Sequence, residues 1–328
     1  MGGTVVERAL HIVVLDRSSV GEDVSVEPLK KYGKVTFHMT TKDEEAAERV
    51  KDADIIIVNK TPMNADTLDG AGHLKLICEF ATGFDNVDLD YCRKRGIPVV
   101  NVVNYSTAAV AQHTIACVLY ILEKLRYYDD YVKSGAYGSQ PRFSHFGLPY
   151  SELDGKTWGI VGMGNIGRKV AAIAEAFGCR VICFSASGRG GCTDYEQVDF
   201  ETLLRESDVL TLHCPLSDRT RNLIDLEALK KMKKTAILVN VARGAVVNEA
   251  DLCTALQENW IMGAGIDVLS REPIDPGNPL LQIQDSSRLL ITPHMAWASV
   301  EARTRVVTET CRNIEAFLRG EARNVVNP

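Results

Sequence analysis

Short apolar runs recur along the chain, separated by segments in which apolar residues return with helical spacing. In the N-terminal third, the runs predict five strands: His11–Leu15, Lys34–His38, Asp54–Val58, Leu74–Phe80 and Ile97–Val102. Pro28–Tyr32 and Glu44–Lys51 have the pattern of intervening helices. Both faces of the runs are apolar, as in parallel strands that are covered on both sides. This part of the chain is therefore predicted to form a small α/β domain.

A second alternating series occupies most of the remaining chain. It contains six predicted strands: Trp158–Val161, Arg180–Phe184, Val209–His213, Ala236–Asn240, Gly263–Val268 and Leu289–Thr292. Before it come a long apolar helix at 108–128, interpreted as a bridge, and a segment at 134–153 rich in Gly, Pro, Ser and Tyr, interpreted as a loop or arm. After it, Ser299–Leu318 has the pattern of one long helix that can return to the first domain. Strands alternating with helices predict a doubly wound parallel sheet.

A glycine-rich turn joins the first strand of this second series to the helix that follows. Gly162-Met163-Gly164-Asn165-Ile166-Gly167 comes directly after an apolar run, and Arg168–Phe177 continues with helical spacing. The first glycine permits a tight turn, the second lets the backbone approach a pyrophosphate, and the third lets helix and strand pack closely. In this setting the motif predicts a dinucleotide site at Gly162, Gly164, Asn165, Ile166 and Gly167. A tight turn without a ligand is the alternative.

Composition narrows the possible partners. The chain has 328 residues, 45% of them hydrophobic, and a net charge of −6, which fits two globular domains and argues against a nucleic-acid partner. Its apolar runs are shorter than the roughly 20 residues that span a bilayer, and its N-terminus lacks a signal-peptide pattern. We therefore expect a cytoplasmic protein without a membrane partner. The nine cysteines are scattered without a CxxC pair, which indicates buried thiols rather than disulfides or a metal site.

Three charged or titratable residues, Arg243, Glu272 and His294, each come shortly after a predicted strand of the second series. Ligands of open α/β sheets bind outside the carboxyl ends of the strands, where we expect these side chains to converge. A histidinium can protonate the oxygen of a 2-keto acid while hydride adds to the carbon, and a carboxylate can stabilise that histidinium. A guanidinium can bind the substrate carboxylate by forked hydrogen bonds. The three residue types therefore fit the reduction of a 2-keto acid.

On these residues the sequence resembles the D-isomer-specific 2-hydroxyacid dehydrogenases. The resemblance covers nearly the whole chain and is carried, besides the glycine turn, by Leu238–Gly244, Ala264–Val268 with Glu272-Pro273, Thr292-Pro293-His294, and Ala81–Asp88. It implies an NAD(P)-dependent enzyme with Arg243, Glu272 and His294 as catalytic residues, a small-molecule 2-keto or 2-hydroxy acid as substrate, and a homodimer.

The resemblance also implies a separate binding role for each of the two domains. Residues 1–104 plus 297–328 are the expected substrate domain, with a flavodoxin-like sheet. Residues 105–296 are the expected NAD(P)-binding Rossmann domain, including the bridging helix and the arm. A cleft is expected between the two domains.

Further contacts are implied in the same way. Those with the cofactor are Thr107, Val241, Asp267 and the loop residues His213, Cys214, Pro215 and Thr220. Those with the substrate are Lys60, Thr82, Gly83, Arg243 and Trp297, where Thr82 and Gly83 lie in the loop whose N–H groups receive the substrate carboxylate. For Lys60 the alternative is a solvated loop lysine, and for His213 a hydrogen-bonded histidine at a strand end. His113 is interpreted as a helix-packing residue without chemistry.

The choice of nucleotide depends on the end of the second strand of this domain. An NAD-specific site carries an acid there to bind the ribose 2′-hydroxyl, whereas this chain has Ser185, 18 residues after Gly167. Ser185 and Ser187 would tolerate a 2′-phosphate, and Arg189 could pair with it. This favours NADP(H) over NAD(H), although Arg189 comes four residues late and can equally point into solvent.

The substrate is predicted from Trp297, three residues after His294. This arrangement is most similar to the branch of glycerate dehydrogenases and hydroxypyruvate or glyoxylate reductases, and a large ring beside the histidine would favour short acids. A bulkier branched or aromatic 2-keto acid is the main alternative. A non-catalytic nucleotide-sensing regulator on the same scaffold would need long flanks or a partner groove, and a formate or phosphite dehydrogenase would not need both Glu272 and His294.

Overall fold

The structure is a computed structural model, described here for residues 9–186 and 194–328. The chain divides into two compact units. The first consists of Met1–Ser106 with Ala298–Pro328, and the second of Thr107–Trp297. We call them the discontinuous unit and the central unit.

The described residues contain two sheets, and every strand pair within them is parallel. The discontinuous unit holds β1 (His11–Val14), β2 (Lys34–Phe37), β3 (Ile55–Val58), β4 (Leu76–Glu79) and β5 (Val99–Val100). The central unit holds β6 (Thr157–Val161), β7 (Arg180–Phe184), β8 (Glu196–Gln197), β9 (Val209–Leu212), β10 (Ile237–Asn240), β11 (Gly263–Ile266) and β12 (Leu289–Ile291).

Strand order identifies both sheets as doubly wound. The first runs β2-β1-β3-β4-β5, which is the flavodoxin-like order. The second runs β12-β11-β10-β9-β6-β7-β8, so its first strand, β6, lies in the interior of the sheet and the order reverses between β6 and β9, as in the Rossmann fold. The prediction of two parallel-sheet α/β domains is confirmed.

Ten α-helices accompany the sheets in the described part of the chain: α1 (Asp43–Val50), α2 (Ala65–Leu68), α3 (Leu89–Lys94), α4 (Thr107–Leu122), α5 (Leu125–Lys133), α6 (Asn165–Ala176), α7 (Phe200–Glu206), α8 (Leu226–Lys231), α9 (Glu249–Gln257) and α10 (Val300–Leu318). The last of these, α10, packs on β4 and on the 3-10 helix Glu27–Tyr32, within the discontinuous unit.

Burial of apolar side chains holds each sheet. All four residues of β3 are fully buried, as are Trp158 and Ile160 in β6. Each such side chain contributes roughly 1.5–3 kcal/mol when it leaves water. Because both faces are covered, the strands are continuous apolar runs, and this is why they were predictable.

Two predictions about elements were wrong. The segment 108–128 is two helices, since α4 ends at Leu122 and Lys124 takes a left-handed conformation (φ 55°) before α5, which bends away by 59°. The second sheet has a seventh strand, β8, whose two residues are both exposed and therefore give no apolar signal. Pro28–Tyr32 is helical as predicted, within the 3-10 helix Glu27–Tyr32.

Membrane-spanning character was tested in the described residues. No single helix there is long and apolar enough to cross a bilayer. The bent pair of α4 and α5 reaches the necessary length only when both helices are counted together. Half of the sixteen residues of α4 are buried, as expected of a core helix.

Candidate active site

The three predicted catalytic residues leave from one edge of the central sheet. Strands β10, β11 and β12 are neighbours, and Asn240 pairs with Ile266, which pairs with Ile291. The carboxyl ends of these strands are therefore level. Arg243, Glu272 and His294 follow those ends, so the expectation that they leave from the same edge agrees with the strand register.

Glu272 and His294 form a direct pair. The Glu272 Oε2 atom lies 2.7 Å from the His294 Nδ1 atom, and the backbone N–H of Leu269 donates to Glu272 Oε1 at 3.0 Å. Both side chains are about one-third exposed, 32% and 31%. A carboxylate at this distance orients the ring. With Nδ1 held by Glu272, Nε2 is the nitrogen that can donate a proton to a ligand.

Asp267 holds the loop that carries His294. Its side chain is 1% exposed and accepts hydrogen bonds from the Thr292 hydroxyl (2.6 Å) and from the N–H groups of Met295 and Ala296 (2.9 Å each). His294 has a left-handed backbone (φ 52°), and its N–H donates to the Asp267 carbonyl at 2.8 Å. A strained conformation of this kind persists only when its surroundings impose it. Asp267 therefore fixes the backbone from which the His294 imidazole projects.

His113 extends this network from α4. Its Nε2 lies 3.1 Å from the Thr292 hydroxyl and 3.6 Å from Asp267 Oδ1. The earlier interpretation of His113 as a helix-packing residue thus omitted a polar contact with the loop of His294.

The Arg243 segment is fixed by Asn240, which is completely buried. The Asn240 side chain accepts from the N–H of Ala242 at 3.0 Å and donates to the Arg243 carbonyl at 2.9 Å. One guanidinium nitrogen of Arg243 donates to the Ala242 carbonyl at 2.9 Å. The next residue, Gly244, lies so close to the neighbouring loop that a β-carbon there would be 1.9 Å from the Leu269 carbonyl carbon. The segments carrying Arg243 and Glu272 are therefore in backbone contact.

The glycine turn has the geometry that a pyrophosphate requires. Gly162 has φ 94°, and a β-carbon there would lie 2.8 Å from the Cys214 nitrogen. A β-carbon on Gly167 would lie 2.3 Å from the Gly162 carbonyl oxygen, whereas one on Gly164 would meet nothing within 4 Å. Protein backbone thus packs closely against Gly162 and Gly167, whereas the space beside Gly164 is open. Helix α6, which begins at Asn165, has no side-chain cap and no acid in its first turn, so its N-terminus suits an anion.

The loop after β9 packs against this turn. Thr220 is buried, receives a hydrogen bond from the Ser217 N–H (2.7 Å) and donates to the Pro215 carbonyl (2.8 Å), which closes the loop on itself. Both ring nitrogens of His213 are buried without a hydrogen-bond partner among the described residues. Burial lowers the pKa of His213 to about 3, so the ring is neutral. The alternative of a hydrogen-bonded strand-end histidine is not what the described residues show.

In the discontinuous unit, a buried aspartate organises the loop that contains Lys60. Asp16 Oδ2 accepts from the N–H groups of Asn59 (2.9 Å), Lys60 (3.1 Å) and Thr61 (3.3 Å), and its Oδ1 accepts from the Thr61 hydroxyl (3.0 Å). The Lys60 side chain is exposed. Asp16 therefore fixes the backbone from which this ammonium group projects.

The loop of Thr82 and Gly83 is tied to the same sheet. The Thr82 hydroxyl donates to the Val102 carbonyl at 2.7 Å, and the Asn101 amide donates to the Thr82 carbonyl at 2.8 Å. Directly before this loop, Glu79 is completely buried, and its Oε1 has no partner in the described part of the chain. Burial raises the pKa of Glu79 well above its ordinary value, against the smaller influence of Asn86. A buried carboxyl group, whose neutral form is favoured by its surroundings, thus lies next to the loop.

The remaining predicted cofactor residues occupy defined positions. Thr107 is the first residue of α4, Val241 directly follows β10, and Ser185 directly follows β7. Trp297 is the last residue of the central unit. Ser187 and Arg189 lie outside the described residues. The first acid in sequence after β7 is Asp194, and it forms an ion pair with Arg168 of α6.

Sequence reasoning missed Asp16 and Glu79, which lie next to loops that carry predicted site residues. Asp16 binds its loop across 43 residues, a distance that local patterns do not reveal. Asp16 and Glu79 did leave a signal, since each is an acid at the end of an apolar strand and therefore expected to be buried with a task.

Comparison with known proteins agrees with this geometry. Residues 115–296 match the family model of the D-isomer specific 2-hydroxyacid dehydrogenase NAD-binding domain. The chain is 40% identical to glycerate dehydrogenase of Methylorubrum extorquens, over 96% of this chain and 98% of that protein. It is 36% identical to hydroxypyruvate reductase of Blautia hydrogenotrophica, over 97% and 100%.

Among solved structures, D-lactate dehydrogenase of Aquifex aeolicus, complexed with NAD and lactic acid, superimposes with a TM-score of 0.84 at 29% identity. The match covers 97% of this chain and 99% of that one.

The two parallel sheets, the glycine turn and the Glu272–His294 pair define a nicotinamide-dependent oxidoreductase. More narrowly, the chain belongs to the D-isomer-specific 2-hydroxyacid dehydrogenase family. It is an NAD(P)-dependent enzyme acting on small 2-hydroxy or 2-keto acids, and the predicted resemblance is confirmed.

Proposed function

We propose that the protein reduces a short 2-keto acid, of the hydroxypyruvate or glyoxylate type, to the D-2-hydroxy acid. The observation that carries this proposal is the 2.7 Å contact between Glu272 and His294 at the carboxyl edge of the sheet that also bears the glycine turn. The names of the relatives, glycerate dehydrogenase and hydroxypyruvate reductase, support the choice of a short acid. A bulkier branched or aromatic 2-keto acid is the alternative.

The proposed roles follow from the geometry. The bound nicotinamide supplies hydride to the carbonyl carbon. His294, protonated and held through Nδ1 by Glu272, donates the proton from Nε2 to the carbonyl oxygen. In the reverse direction the neutral ring accepts that proton, and Glu272 stabilises the resulting charge. Arg243 binds the substrate carboxylate and polarises the carbonyl group.

Loops of the discontinuous unit are proposed to bind the substrate carboxylate. Thr82 and Gly83 offer N–H groups in a loop that Val102 and Asn101 hold through the hydroxyl and the carbonyl of Thr82. Lys60 adds a positive charge on a backbone fixed by Asp16. Trp297 is proposed to limit the length of the acid.

For the cofactor, we propose that Gly162, Gly164, Asn165, Ile166 and Gly167 receive the pyrophosphate. His213, Cys214, Pro215, Thr220, Val241, Asp267 and Thr107 are proposed to surround the nicotinamide half. Asp267 would do so in addition to holding the loop of His294.

NADP(H) is the proposed preference because Ser185 replaces the usual acid after β7. The first acid in sequence after β7, Asp194, forms an ion pair with Arg168. Ser187 and Arg189 are proposed to complete this subsite.

A homodimer is proposed, with the arm as its contact. Helix α5 has no buried residue, and Phe143, Phe146 and Tyr150 are 92%, 77% and 60% exposed. Aromatic side chains exposed to this extent are typical of protein interfaces. A cytoplasmic location is also proposed, because the eight described cysteines are buried thiols.

The central test combines a substrate panel with one variant. Initial rates for acids from glyoxylate to phenylpyruvate, read with NADH and NADPH in parallel, should be highest for the short acids. His294→Ala should lower kcat by about 10²- to 10⁴-fold because it removes the general acid, while cofactor binding measured by fluorescence persists. Near-normal turnover in this variant would remove His294 from the mechanism.

The cofactor proposal has its own test. NADPH should give the higher kcat/KM, and Ser185→Asp should shift the ratio toward NADH because a carboxylate binds the ribose 2′-hydroxyl and repels a 2′-phosphate. Steady-state kinetics with both cofactors measure this ratio. A wild-type preference for NADH would contradict the proposal.

A further inference from the structure

We infer that Glu249 is a positioning residue for the Glu272–His294 pair, acting through the loop 269–278. The inference rests on the function proposed above. Glu249 is the first residue of α9 and is half-buried. Its Oε1 accepts a hydrogen bond from the Ser270 N–H at 2.6 Å, and its Oε2 accepts from the Ser270 hydroxyl at 2.9 Å and from the Asn278 amide at 2.7 Å. One carboxylate thus ties both ends of this loop to a helix.

Glu272 lies inside the loop that Glu249 ties. Ser270 is adjacent to Leu269, whose N–H donates to Glu272 Oε1 at 3.0 Å, and the other carboxylate oxygen of Glu272 contacts His294. Two of the three contacts that Glu249 accepts are therefore made by Ser270, the residue next to the N–H group that orients Glu272. If Ser270 shifts, the Leu269 N–H shifts with it, and Glu272 loses the donor that sets the angle of its carboxylate.

A second contact constrains the same two residues. A β-carbon on Gly244 would lie 1.9 Å from the Leu269 carbonyl carbon and 2.3 Å from the Ser270 nitrogen. Gly244 follows Arg243, so Leu269 and Ser270 are held by the segment after β10 at two places, Gly244 and Glu249. Precise placement of a catalytic group depends on such outer contacts. The geometry thus assigns Glu249 to the alignment of the acid–base pair, and it would touch neither substrate nor cofactor.

A double-mutant cycle tests the inference. Glu249→Ala, Glu272→Gln and the combination are assayed for reduction of hydroxypyruvate and glyoxylate at saturating cofactor. Glu249→Ala should lower kcat about 10-fold, while the KM for the cofactor stays within about twofold, because a misplaced catalytic group slows chemistry rather than binding. In the Glu272→Gln background the same change should cost less than about twofold, because its effect passes through Glu272. Equal losses in both backgrounds would overturn the inference.

Conservative and control variants sharpen the result. Glu249→Gln keeps an acceptor oxygen and should lose less activity than Glu249→Ala. Glu227, in the first turn of α8, is exposed and pairs with Lys230 at 2.8 Å. Glu227→Ala should leave kcat unchanged. If Glu227→Ala lowered kcat as much as Glu249→Ala does, loss of an acid from the first turn of any helix would explain the effect, and the inference would be overturned.

Two outcomes separate this inference from the proposed function. If the wild-type protein reduces no 2-keto acid, the proposed function fails, and the inference fails with it. If Glu272→Gln is fully active, the proposed role of Glu272 and the inference fail while the proposed reaction stands. If both behave as expected and Glu249→Ala is fully active, only the inference fails. Should Glu249→Ala not fold, Ser270→Ala removes one of the three contacts and should show a smaller loss with the same dependence on Glu272.

Discussion

A buried aspartate performs a similar task in each unit. Asp16 follows β1 and binds the loop after the neighbouring strand β3. Asp267 follows β11 and binds the loop after the neighbouring strand β12. Each carboxylate accepts main-chain N–H groups that no strand or helix satisfies, so each loop has one defined path.

The two loops differ in what they present. The loop held by Asp16 is proposed to present N–H groups and the charge of Lys60, which bind an anion without changing their protonation state. The loop held by Asp267 presents a titratable ring in a left-handed backbone, with a second carboxylate at 2.7 Å. The same kind of anchor is therefore proposed to serve binding in one sheet and proton transfer in the other, according to the residue that the loop carries.

Removing the two anchors should give the largest effects and should separate these roles. Asp267→Ala leaves three donors without a buried acceptor and should destabilise the fold by roughly 3 kcal/mol. It should also lower kcat by about 10²-fold, since His294 would move. Asp16→Ala should cause a similar loss of stability, but mainly raise the KM for the keto acid. Urea unfolding and steady-state kinetics measure both quantities, and a fall in kcat for Asp16→Ala equal to that for Asp267→Ala would refute the distinction.

Each unit also buries a titratable side chain with at least one polar atom that lacks a hydrogen-bond partner among the described residues, Glu79 in one and His213 in the other. Substitutions at these two positions should give effects of intermediate size. Burial raises the pKa of Glu79 above its ordinary 4.5, so the unfolded chain loses this proton first and stability falls as pH rises above about 4.5. Burial lowers the pKa of His213 from 6.5 to about 3, so the unfolded chain binds this proton first and stability falls as pH drops from 6.5 toward 3. Each slope approaches about 1.4 kcal/mol per pH unit.

Glu79→Gln and His213→Gln test these slopes separately. Unfolding free energies measured from pH 4 to 8 should show Glu79→Gln gaining on the wild type as pH rises, and His213→Gln gaining as pH falls. Parallel pH curves for wild type and variant would show that the group in question keeps its ordinary titration in the folded protein.

Helix caps should give the smallest effects. Ser299 caps α10 through the Ala302 N–H at 3.2 Å, and Asn248 caps α9 through the Ala250 and Asp251 N–H groups at 3.1 and 3.2 Å. Replacing either by Ala should cost about 1 kcal/mol of stability. Only Asn248→Ala should also lower kcat, because Glu249 is the next residue. Thermal unfolding measures the loss of stability, and steady-state kinetics measure kcat. A lower kcat in Ser299→Ala with an unchanged kcat in Asn248→Ala would contradict the prediction.

Most of the fold was predictable because parallel strands are buried on both faces and so appear as apolar runs, as in β3 and β7. The break after Leu122 was not, since a lysine rather than a glycine takes the left-handed conformation. For the site, the Glu272–His294 contact was expected from matching strand ends. The contacts of Asp16 and Glu249 were not, because they depend on which strands and loops become neighbours.

The sulfur chemistry of the protein follows from its packing. All eight described cysteines are buried, and burial raises the pKa of Cys117 to about 12 and of Cys214 to about 11. Alkylating reagents attack the thiolate, which is scarce under these conditions. With Cys192, which lies outside the described residues, replaced by Ser, the rate of alkylation at Cys78 would report transient opening of the discontinuous unit, and the rate at Cys117 that of the central unit. The buried cysteines can thus report the transient opening of each unit without any added label.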